Sequence, residues 1–451
     1  MVPAPPTEIT PQEALPIESI QTVSFHTLGC KLNQAETAAI AARFKERGCQ
    51  VVPFRQATDL TFINTCTVTG EADAKSRQAI RQARVASPGG RLVVAGCYAQ
   101  LKPEEIASLE GVDLILGNRE KYRVLEFLEQ LERGGGERPL VYVDGLDEVE
   151  TYDESPFISS TGRTRAFLKV QDGCDFHCSF CIIPAARGRA RSRSLHGCLS
   201  EARRLVDAGY RELVLTGVNI GTWREGDLVF HDLLASISET EGLRRLRISS
   251  IEPQLVTSRM LEIMAGRENI CPHLHLPLQH ASDRILGAMR RRYSLRDYQD
   301  TLERVMTALP EAAVGADIIV GFPGETEDEF NQLAQAVSAL PLTYHHIFRY
   351  SERQGTVAAC LEGSVDPRER KRRSALLRAI SRRKREAYAL SFIGRTREVY
   401  FEGRPRNGQW EGLTDNYLRV RVASTGSGRE PFQLVRLQQL QGEVLQGTAV
   451  A

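Results

Sequence analysis

The sequence predicts an α/β protein in three parts: an N-terminal open parallel sheet with crossover helices, a central βα barrel that is a partial or full TIM-type barrel, and a small C-terminal all-β barrel. Three observations carry this reading. Short apolar runs alternate with helix-period segments from Val23 to Ala95, the alternation resumes on a longer scale from Arg165, and after Arg385 the pattern changes to period two. A chain of 451 residues is also long for one core.

Composition narrows the class without naming a partner. The hydrophobic share is 42% and the charged share 25%, as in ordinary globular proteins. The 58 basic and 57 acidic residues nearly cancel, so binding to a polyanion has to come from local clusters. No apolar run reaches the length of about 18 residues that a membrane span needs. The start, M-V-P-A-P-P-T-E-I-T-P, is proline-rich and has neither the basic residues nor the apolar block of a secretion signal, so residues 1–20 read as a disordered tail. Ten cysteines in such a chain fit the reducing cytoplasm, where thiols remain available to metals.

The sheet domain is expected over residues 21–133. Val23 to Leu28 reads as a strand, followed by a helix that stops at Gly48; further strands fall at Gln50 to Phe54, Leu60 to Asn64 and Leu92 to Ala95, with a helix from Glu71 to Ala86. Cys30, Cys66 and Cys97 each come just after one of these strands. Ligands of open α/β sheets gather outside the carboxyl ends of the strands, so the three thiols are expected along one edge with a shared ligand role. Cys30 and Cys97 also follow a glycine, which lets backbone approach a bound group. Cys49, Cys198, Cys271 and Cys360 have no such companions and read as small buried hydrophobes.

Residues 134–163 begin with three glycines and continue as an acidic stretch without period, which marks a linker. The barrel is expected over 164–385, with six strands at R-A-F-L-K-V, R-E-L-V-L-T, L-R-R-L-R-I-S-S, H-L-H-L-P-L, A-D-I-I-V-G-F and H-H-I-F-R-Y. It ends in a helical run from Arg368 to Arg385 carrying ten Lys or Arg and one Glu. Residues 386–451 then alternate at period two, as in R-E-V-Y-F-E-G and Y-L-R-V-R-V-A-S.

The stretch Q-D-G-C-D-F-H-C-S-F-C-I-I-P places Cys174, Cys178 and Cys181 within eight residues after the first barrel strand. A structural zinc site needs four closed ligands, commonly two C-x2-C pairs, and no second pair is present. Three thiolates suit an iron–sulfur cubane with one iron left open to a ligand.

This C-x3-C-x2-C loop at the start of a βα barrel resembles the radical S-adenosylmethionine (SAM) superfamily. With the N-terminal trio, and with T-L-G-C-K-L-N-Q-A-E-T and C-S-F-C-I-I-P-A-A-R-G-R-A-R-S-R, the chain resembles the radical SAM methylthiotransferases, and among them most the group acting on tRNA threonylcarbamoyladenosine. The resemblance implies two 4Fe-4S clusters. Cys30, Cys66 and Cys97 would hold the auxiliary one, and Cys174, Cys178 and Cys181 the one that cleaves SAM to a 5′-deoxyadenosyl radical. SAM would serve as radical source and as methyl donor. It implies a C-terminal RNA-binding barrel of the TRAM type, and methylthiolation at carbon 2 of N6-threonylcarbamoyladenosine beside the anticodon. An electron donor such as flavodoxin or ferredoxin would be needed; the sulfur donor stays open. The family has Ser-Gly more often where this chain has His280-Ala281.

The same resemblance places SAM against the strand-end loops. Thr216, Gly217 and Asn219 would meet the amino group, Ser250 and Glu252 the ribose or carboxylate, and Asp317, Gly321 and Gly324 the adenine. No catalytic side chain is expected beyond the clusters. Arg187, Arg189, Arg191 and Arg193 beside the cluster loop, and Arg372, Arg373, Arg382, Arg383, Lys384 and Arg385 in the basic helix, are expected to meet RNA phosphates. The aromatics Tyr400, Phe401, Trp410, Tyr417 and Phe432 are expected to divide between barrel core and base stacking. Alternative readings are a methylthiotransferase acting on isopentenyladenosine in tRNA or on a ribosomal-protein aspartate, and a non-catalytic iron–sulfur RNA-binding regulator.

Overall fold

The computed structural model describes residues 20–133, 139–146, 152, 164–423 and 431–450. The tail expected over 1–20, apart from Ile20, and most of the linker expected over 134–163 lie outside these. The chain forms two compact units, Met1–Gly145 and Leu146–Ala451.

In the first unit, β1 (Thr22–Thr27), α1 (Lys31–Glu46), β2 (Gln50–Val52), β3 (Leu60–Thr65), α2 (Gly70–Ala86), β4 (Arg91–Gly96), α3 (Cys97–Leu101), α4 (Pro103–Ala107), β5 (Leu114–Leu116), α5 (Val124–Arg133) and β6 (Leu140–Tyr142) follow in order. The six strands pair in parallel as β2-β1-β3-β4-β5-β6. Every residue of β3 and β4 is buried, because helices cover both faces of a parallel sheet. Thr69 starts α2 by accepting the Ala72 N–H at 3.1 Å, and Glu71 and Asp73 place negative charge in its first turn. One expectation is corrected: Leu140–Tyr142 joins the sheet as β6, so the stretch taken for linker contributes a strand.

The second unit opens with β7 (Arg165–Lys169), β8 (Gln171–Asp172), α6 (Ile183–Arg187), β9 (Arg191–Ser192), α7 (Leu195–Asp207), β10 (Glu212–Thr216), the β11–β12 ribbon (Arg224–Glu225, Leu228–Val229), α8 (Phe230–Ser238), β13 (Arg245–Ile248), α9 (Ser258–Gly266) and β14 (His273–His275). It continues with α10 (Asp283–Ala288), α11 (Leu295–Ala308), β15 (Ala313–Val320), α12 (Glu327–Ala339), β16 (Tyr344–Arg349) and α13 (Pro367–Leu390). β7, β10 and β13 form one parallel ladder and β14, β15 and β16 another, and bridges Leu246–Ile270 and Ser250–His275 join them. The six strands thus run as one open barrel, the partial form of the two expected. Its core takes Leu168, Leu215, Ile248, Leu276 and Ile318.

The basic helix is α13, which packs along β16. Arg378 donates to the Ile347 carbonyl and Ser381 Oγ accepts the His345 N–H at 2.9 Å. It runs past Arg385 to Leu390, and Ala389 with Phe392 enters the core of the last barrel, so the expected boundary at 385/386 falls inside a helix. That barrel comprises β17 (Thr396–Arg406), β18 (Gln409–Thr414), β19 (Arg419–Ala423), β20 (Phe432–Gln441) and β21 (Val444–Ala449), closed in the order β17-β18-β19-β21-β20. Closure leaves no free strand edge.

This small barrel docks at the amino ends of β10 and β13. Arg245 donates to the Leu413 carbonyl at 2.9 Å and to Glu398, and Arg247 to the Asp415 carbonyl at 2.9 Å. Arg247 also binds the fully buried Glu212 at 3.0 Å, with Arg165 and Arg245 at 3.7 and 3.9 Å from the same carboxylate. Tyr417 lies over Arg247 and against His273, and together these close the floor of the larger barrel.

Candidate active site and cluster loops

In the first unit the three cysteines follow β1, β3 and β4, which are adjacent strands, so one edge of the sheet holds all three. Cys66 and Cys97 are buried and Cys30 is exposed. A Cβ on Gly29 would stand 2.8 Å from Cys66 Sγ, which puts the Cys30 loop against the Cys66 side chain. Gly29 and Gly96 have φ of +94° and +99°. The room that their missing side chains leave is taken by Cys66 and by the β3 backbone, so these glycines serve contact between neighbouring loops rather than approach to a bound group. Asn118 Nδ2 donates to Cys97 Sγ at 3.5 Å, while its Oδ1 accepts from Lys121 Nζ at 2.8 Å. Lys121 pairs with Glu36 Oε2 at 2.5 Å, both side chains fully buried.

Cys174, Cys178 and Cys181 occupy the loop between β8 and α6. The Cys181 N–H donates to the Cys178 carbonyl at 3.1 Å, and the Phe176 N–H to Cys174 Sγ at 3.4 Å. Burial pushes the Cys174 thiol up to about 11 and the Cys181 thiol to about 12, with the neighbouring cysteines adding to both. Burial also raises Cys178, against the opposing charge of Arg291. Three soft donors brought together where none ionises readily by itself are a set that a bound metal turns into thiolates, which fits a cubane.

The sequence assigned no role to Arg291 or Gln171, and both organise this site. Arg291 Nη1 donates to Cys178 Sγ at 3.1 Å, its Nη2 pairs with Glu252, and its Nε donates to Tyr293 Oη at 3.1 Å. Burial raises Glu252 above the usual carboxylate range, and Arg291 offsets only part of this. Gln171 Oε1 accepts the Val218 and Asn219 N–H groups, each at 2.9 Å, and its Nε2 donates to the carbonyls of Asp172 and Gly173. One side chain therefore ties the cluster loop to the T-G-V-N-I-G loop. Gln171 lies inside the quoted cysteine stretch and Arg291 in a run of three arginines, but partners 47 and 113 residues away are set by the fold.

Of the residues expected around SAM, Thr216 and Asn219 are buried and Gly217 lies under Gln171. Neither polar atom of the Asn219 amide has a partner among the described residues, which a ligand's donors and acceptors would satisfy. Ser250 Oγ and His275 Nδ1 are 2.8 Å apart, and His275 Nε2 stands 3.3 Å from Asp317 Oδ1. Asp317, His275 and His346 bring one ligand atom each within 4.8 Å of one another on β14, β15 and β16. Burial alone would raise Asp317; the imidazoles of His275 and His346 with Arg291 outweigh it and hold its carboxyl below the ordinary value. The Gly321 N–H is used by Glu325, and the Arg370 stem covers the side of this glycine where a side chain would stand.

The basic residues separate by burial. Arg187 is 1% exposed and binds Asp172 at 2.9 Å, and Arg193 is 3% exposed beside Glu201 at 3.7 Å. Arg373 is buried between Glu325, Glu327 and Glu369. These three are buried in ion pairs and so do not present their charge to RNA phosphates, a correction whose cause is burial that a charge run does not show. Arg191 is half-buried and donates to the Arg187 and Arg189 carbonyls. Arg372 is paired with Glu327 and Glu369, Lys384 donates to the Ser338 and Leu340 carbonyls, and Arg385 pairs with Glu443 at 3.0 Å. Arg189, Arg382 and Arg383 face solvent.

The five aromatics of the last barrel all pack against neighbours. Tyr400 stacks on Phe432, Phe401 meets Trp410, and Tyr417 meets His273; Tyr400 and Phe401 are buried, and Trp410, Tyr417 and Phe432 half-buried. Among the other cysteines, Cys198 and Cys271 are buried as expected, Cys49 is half-buried, and Cys360 is exposed and departs from the expectation.

Comparison with known proteins agrees with this geometry. Residues 22–117 match the uncharacterized protein family UPF0004, and residues 168–337 the Radical SAM superfamily. The threonylcarbamoyladenosine tRNA methylthiotransferase MtaB of Bacillus subtilis is 41% identical over 88% of this chain and 90% of its own. The protein of the same name from Aquifex aeolicus is 37% identical over 88% of this chain and 96% of its own. A tRNA-2-methylthio-N(6)-dimethylallyladenosine synthase of Methylacidiphilum infernorum is 31% identical over 95% and 94%. The solved radical S-adenosylmethionine methyltransferase TsrM of Kitasatospora setae shares the fold, with a TM-score of 0.57 at 16% identity over 75% of this chain and 77% of its own. Identity at this level over nearly nine-tenths of the chain places it: the chain belongs to the radical SAM methylthiotransferase family.

Proposed function

We propose that this enzyme methylthiolates carbon 2 of N6-threonylcarbamoyladenosine, 3′ of the anticodon in tRNA, to give 2-methylthio-N6-threonylcarbamoyladenosine. One observation carries the reading: two cysteine trios at strand carboxyl ends occur in a chain 41% identical to a Bacillus subtilis protein named for that substrate. Cys174, Cys178 and Cys181 would hold one 4Fe-4S cluster, and Cys30, Cys66 and Cys97 the other. When bound, these clusters and SAM supply the electron, the carbon radical, the sulfur and the methyl group.

The chain's own residues fix the rest. Gln171 locks the cluster loop against the loop carrying Asn219, whose unpartnered amide faces a demand that SAM can meet. Arg291 spans Cys178 and Glu252 and places a permanent positive charge beside the thiolates. Ser250, His275, Asp317 and His346 continue this polar line along the barrel interior, where the target base would lie. The floor made by Arg247, Glu212 and Tyr417 closes the cavity to water from below. A flavodoxin or ferredoxin would donate the electron, in the cytoplasm; among the described residues no cysteine forms a disulfide, and no helix is long and apolar enough to cross a membrane.

Nucleoside mass spectrometry of tRNA from a strain lacking the gene tests this. The methylthiolated threonylcarbamoyl nucleoside should vanish while its precursor accumulates; its persistence refutes the reading. The Methylacidiphilum relative favours one other substrate, and loss of the methylthio-isopentenyl nucleoside instead would select it.

A further inference from the structure

We propose that a pocket beside β16 holds the carboxylate of the substrate's threonylcarbamoyl group. This rests on the substrate reading above. The pocket, about 400 Å³, is lined by His346 and Phe348 on β16, by Arg378, Arg382 and Arg385 on α13, and by Glu443 in the β20–β21 turn.

Its position connects it to the reaction cavity. β16 is the last strand of the open barrel, so one of its edges is free of strand partners and is flanked by α13. Along β16, His345 is buried on the α13 side, whereas Tyr344 covers Gly315 and stands 5.4 Å from His346 and 6.2 Å from His275. His346 therefore belongs both to the pocket and to the interior trio with His275 and Asp317. His275 also meets Ser250, and Asp317 lies within electrostatic reach of Glu252, which pairs with the Arg291 that donates to Cys178. Arg385 adds a second link, with its guanidinium 5.8 Å from the Tyr344 ring.

The charge of the pocket selects its occupant. Arg378, Arg382 and Arg385 are spaced i, i+4, i+7 and so share one face of α13. Glu443 neutralises Arg385, which leaves two cations. Arg378 spends one donor on a backbone carbonyl, and Arg382 has no hydrogen-bond or ion-pair partner among the described residues. An apolar isopentenyl group would offer these solvent-exposed cations no anion to pair with. The threonylcarbamoyl group ends in a carboxylate whose two oxygens match a guanidinium fork. An RNA phosphate has the same anionic chemistry, and the test separates the two.

The experiment measures binding, by fluorescence anisotropy, of a synthetic anticodon stem-loop carrying threonylcarbamoyladenosine and of the same RNA with that carboxylate converted to its methyl ester. The proteins are the reconstituted full chain and its Arg382→Gln and Arg378→Gln variants. A hydrogen bond between charged groups predicts that the parent prefers acid over ester by about tenfold or more. Arg382→Gln should erase most of that preference while binding the ester as the parent does. Equal weakening of acid and ester, with a log affinity–log salt slope smaller by about 0.7, would assign the pocket to a phosphate and overturn the proposal. Unchanged binding in both variants overturns it as well. A parent that neither methylthiolates nor prefers threonylcarbamoyl RNA over unmodified RNA brings down the substrate reading, whereas a methylthiolating parent whose variants keep the preference brings down the pocket alone.

Discussion

Replacing Lys121 by methionine tests the base of the N-terminal cysteine edge. Lys121 Nζ and Glu36 Oε2 are 2.5 Å apart with neither side chain exposed, and Lys121 Nζ also donates to Asn118, which in turn donates to Cys97 Sγ. Methionine fills much of the same volume but leaves the Glu36 charge buried without its cation. Breaking a buried pair from one side costs about 3–5 kcal/mol, a large part of the roughly 5–15 kcal/mol that holds a domain folded. Removing both charges, as Lys121→Met with Glu36→Leu, should recover most of that loss, because the buried pair gains little over apolar packing. Both tryptophans, Trp223 and Trp410, lie in the second unit, so their emission does not report the event. Hydrogen exchange of the α1, β3 and β4 amides does. The single variant should lower their opening free energy by about 3 kcal/mol or more, and the double variant should lower it by much less. A single variant within 1 kcal/mol of the parent, or a double variant no better than the single, refutes the argument that Lys121 is needed to compensate Glu36.

Three further outcomes are expected. Replacing Cys30, Cys66 and Cys97 together by alanine should lower iron in the reconstituted chain from about eight to about four atoms, with 5′-deoxyadenosine still formed from SAM and a reductant but no methylthiolated product; unchanged iron would place the ligands elsewhere. Burial depresses His280 from 6.5 to about 4, so the unfolded chain takes up its proton first on acidification and stability falls below pH 6.5. Urea unfolding at pH 6.5 and 5 should show a loss of about 2 kcal/mol from this group, absent from the His280→Gln difference. Finally, Arg187→Met should lower stability without changing the salt dependence of RNA binding, and Arg189→Ala should reduce the log–log slope by about 0.7 with stability unchanged; the reverse pattern would restore Arg187 to the RNA surface.

The cysteine edges were legible because their signal is local. A thiol just after an apolar run marks a strand's carboxyl end whatever the rest of the chain does, and the parallel order β1-β3-β4 then brings Cys30, Cys66 and Cys97 to one side. The six barrel strands were legible for the same reason. What the chain did not reveal were the side chains whose meaning depends on distant partners. Gln171 acts on amides 47 and 48 residues away, and Arg291 on a thiol 113 residues away. Tyr417 carries base-stacking chemistry in its type, yet the docking of the last barrel under β10 and β13 sets its ring against Arg247 and His273.

The basic helix shows how far a charge run misleads. Ten cations and one Glu from Arg368 to Arg385 read as one positive wall. In the fold, Arg372 and Arg373 meet Glu327 and Glu369, with Glu325 for Arg373, and Arg385 meets Glu443. Most of those carboxylates lie 45 or more residues away, so no window on the helix contains them. Long guanidinium stems also cover apolar surface, as Arg370 does over Gly321, which removes the period that would separate a buried face from a wet one. Between the paired Arg372, Arg373 and Arg385, the turns carrying Arg378, Arg382 and Arg383 show no carboxylate partner among the described residues, and it is there that α13 borders the open edge of the barrel. A helix carrying the same ten cations with its acidic partners at other positions would have an identical sequence signature and no pocket.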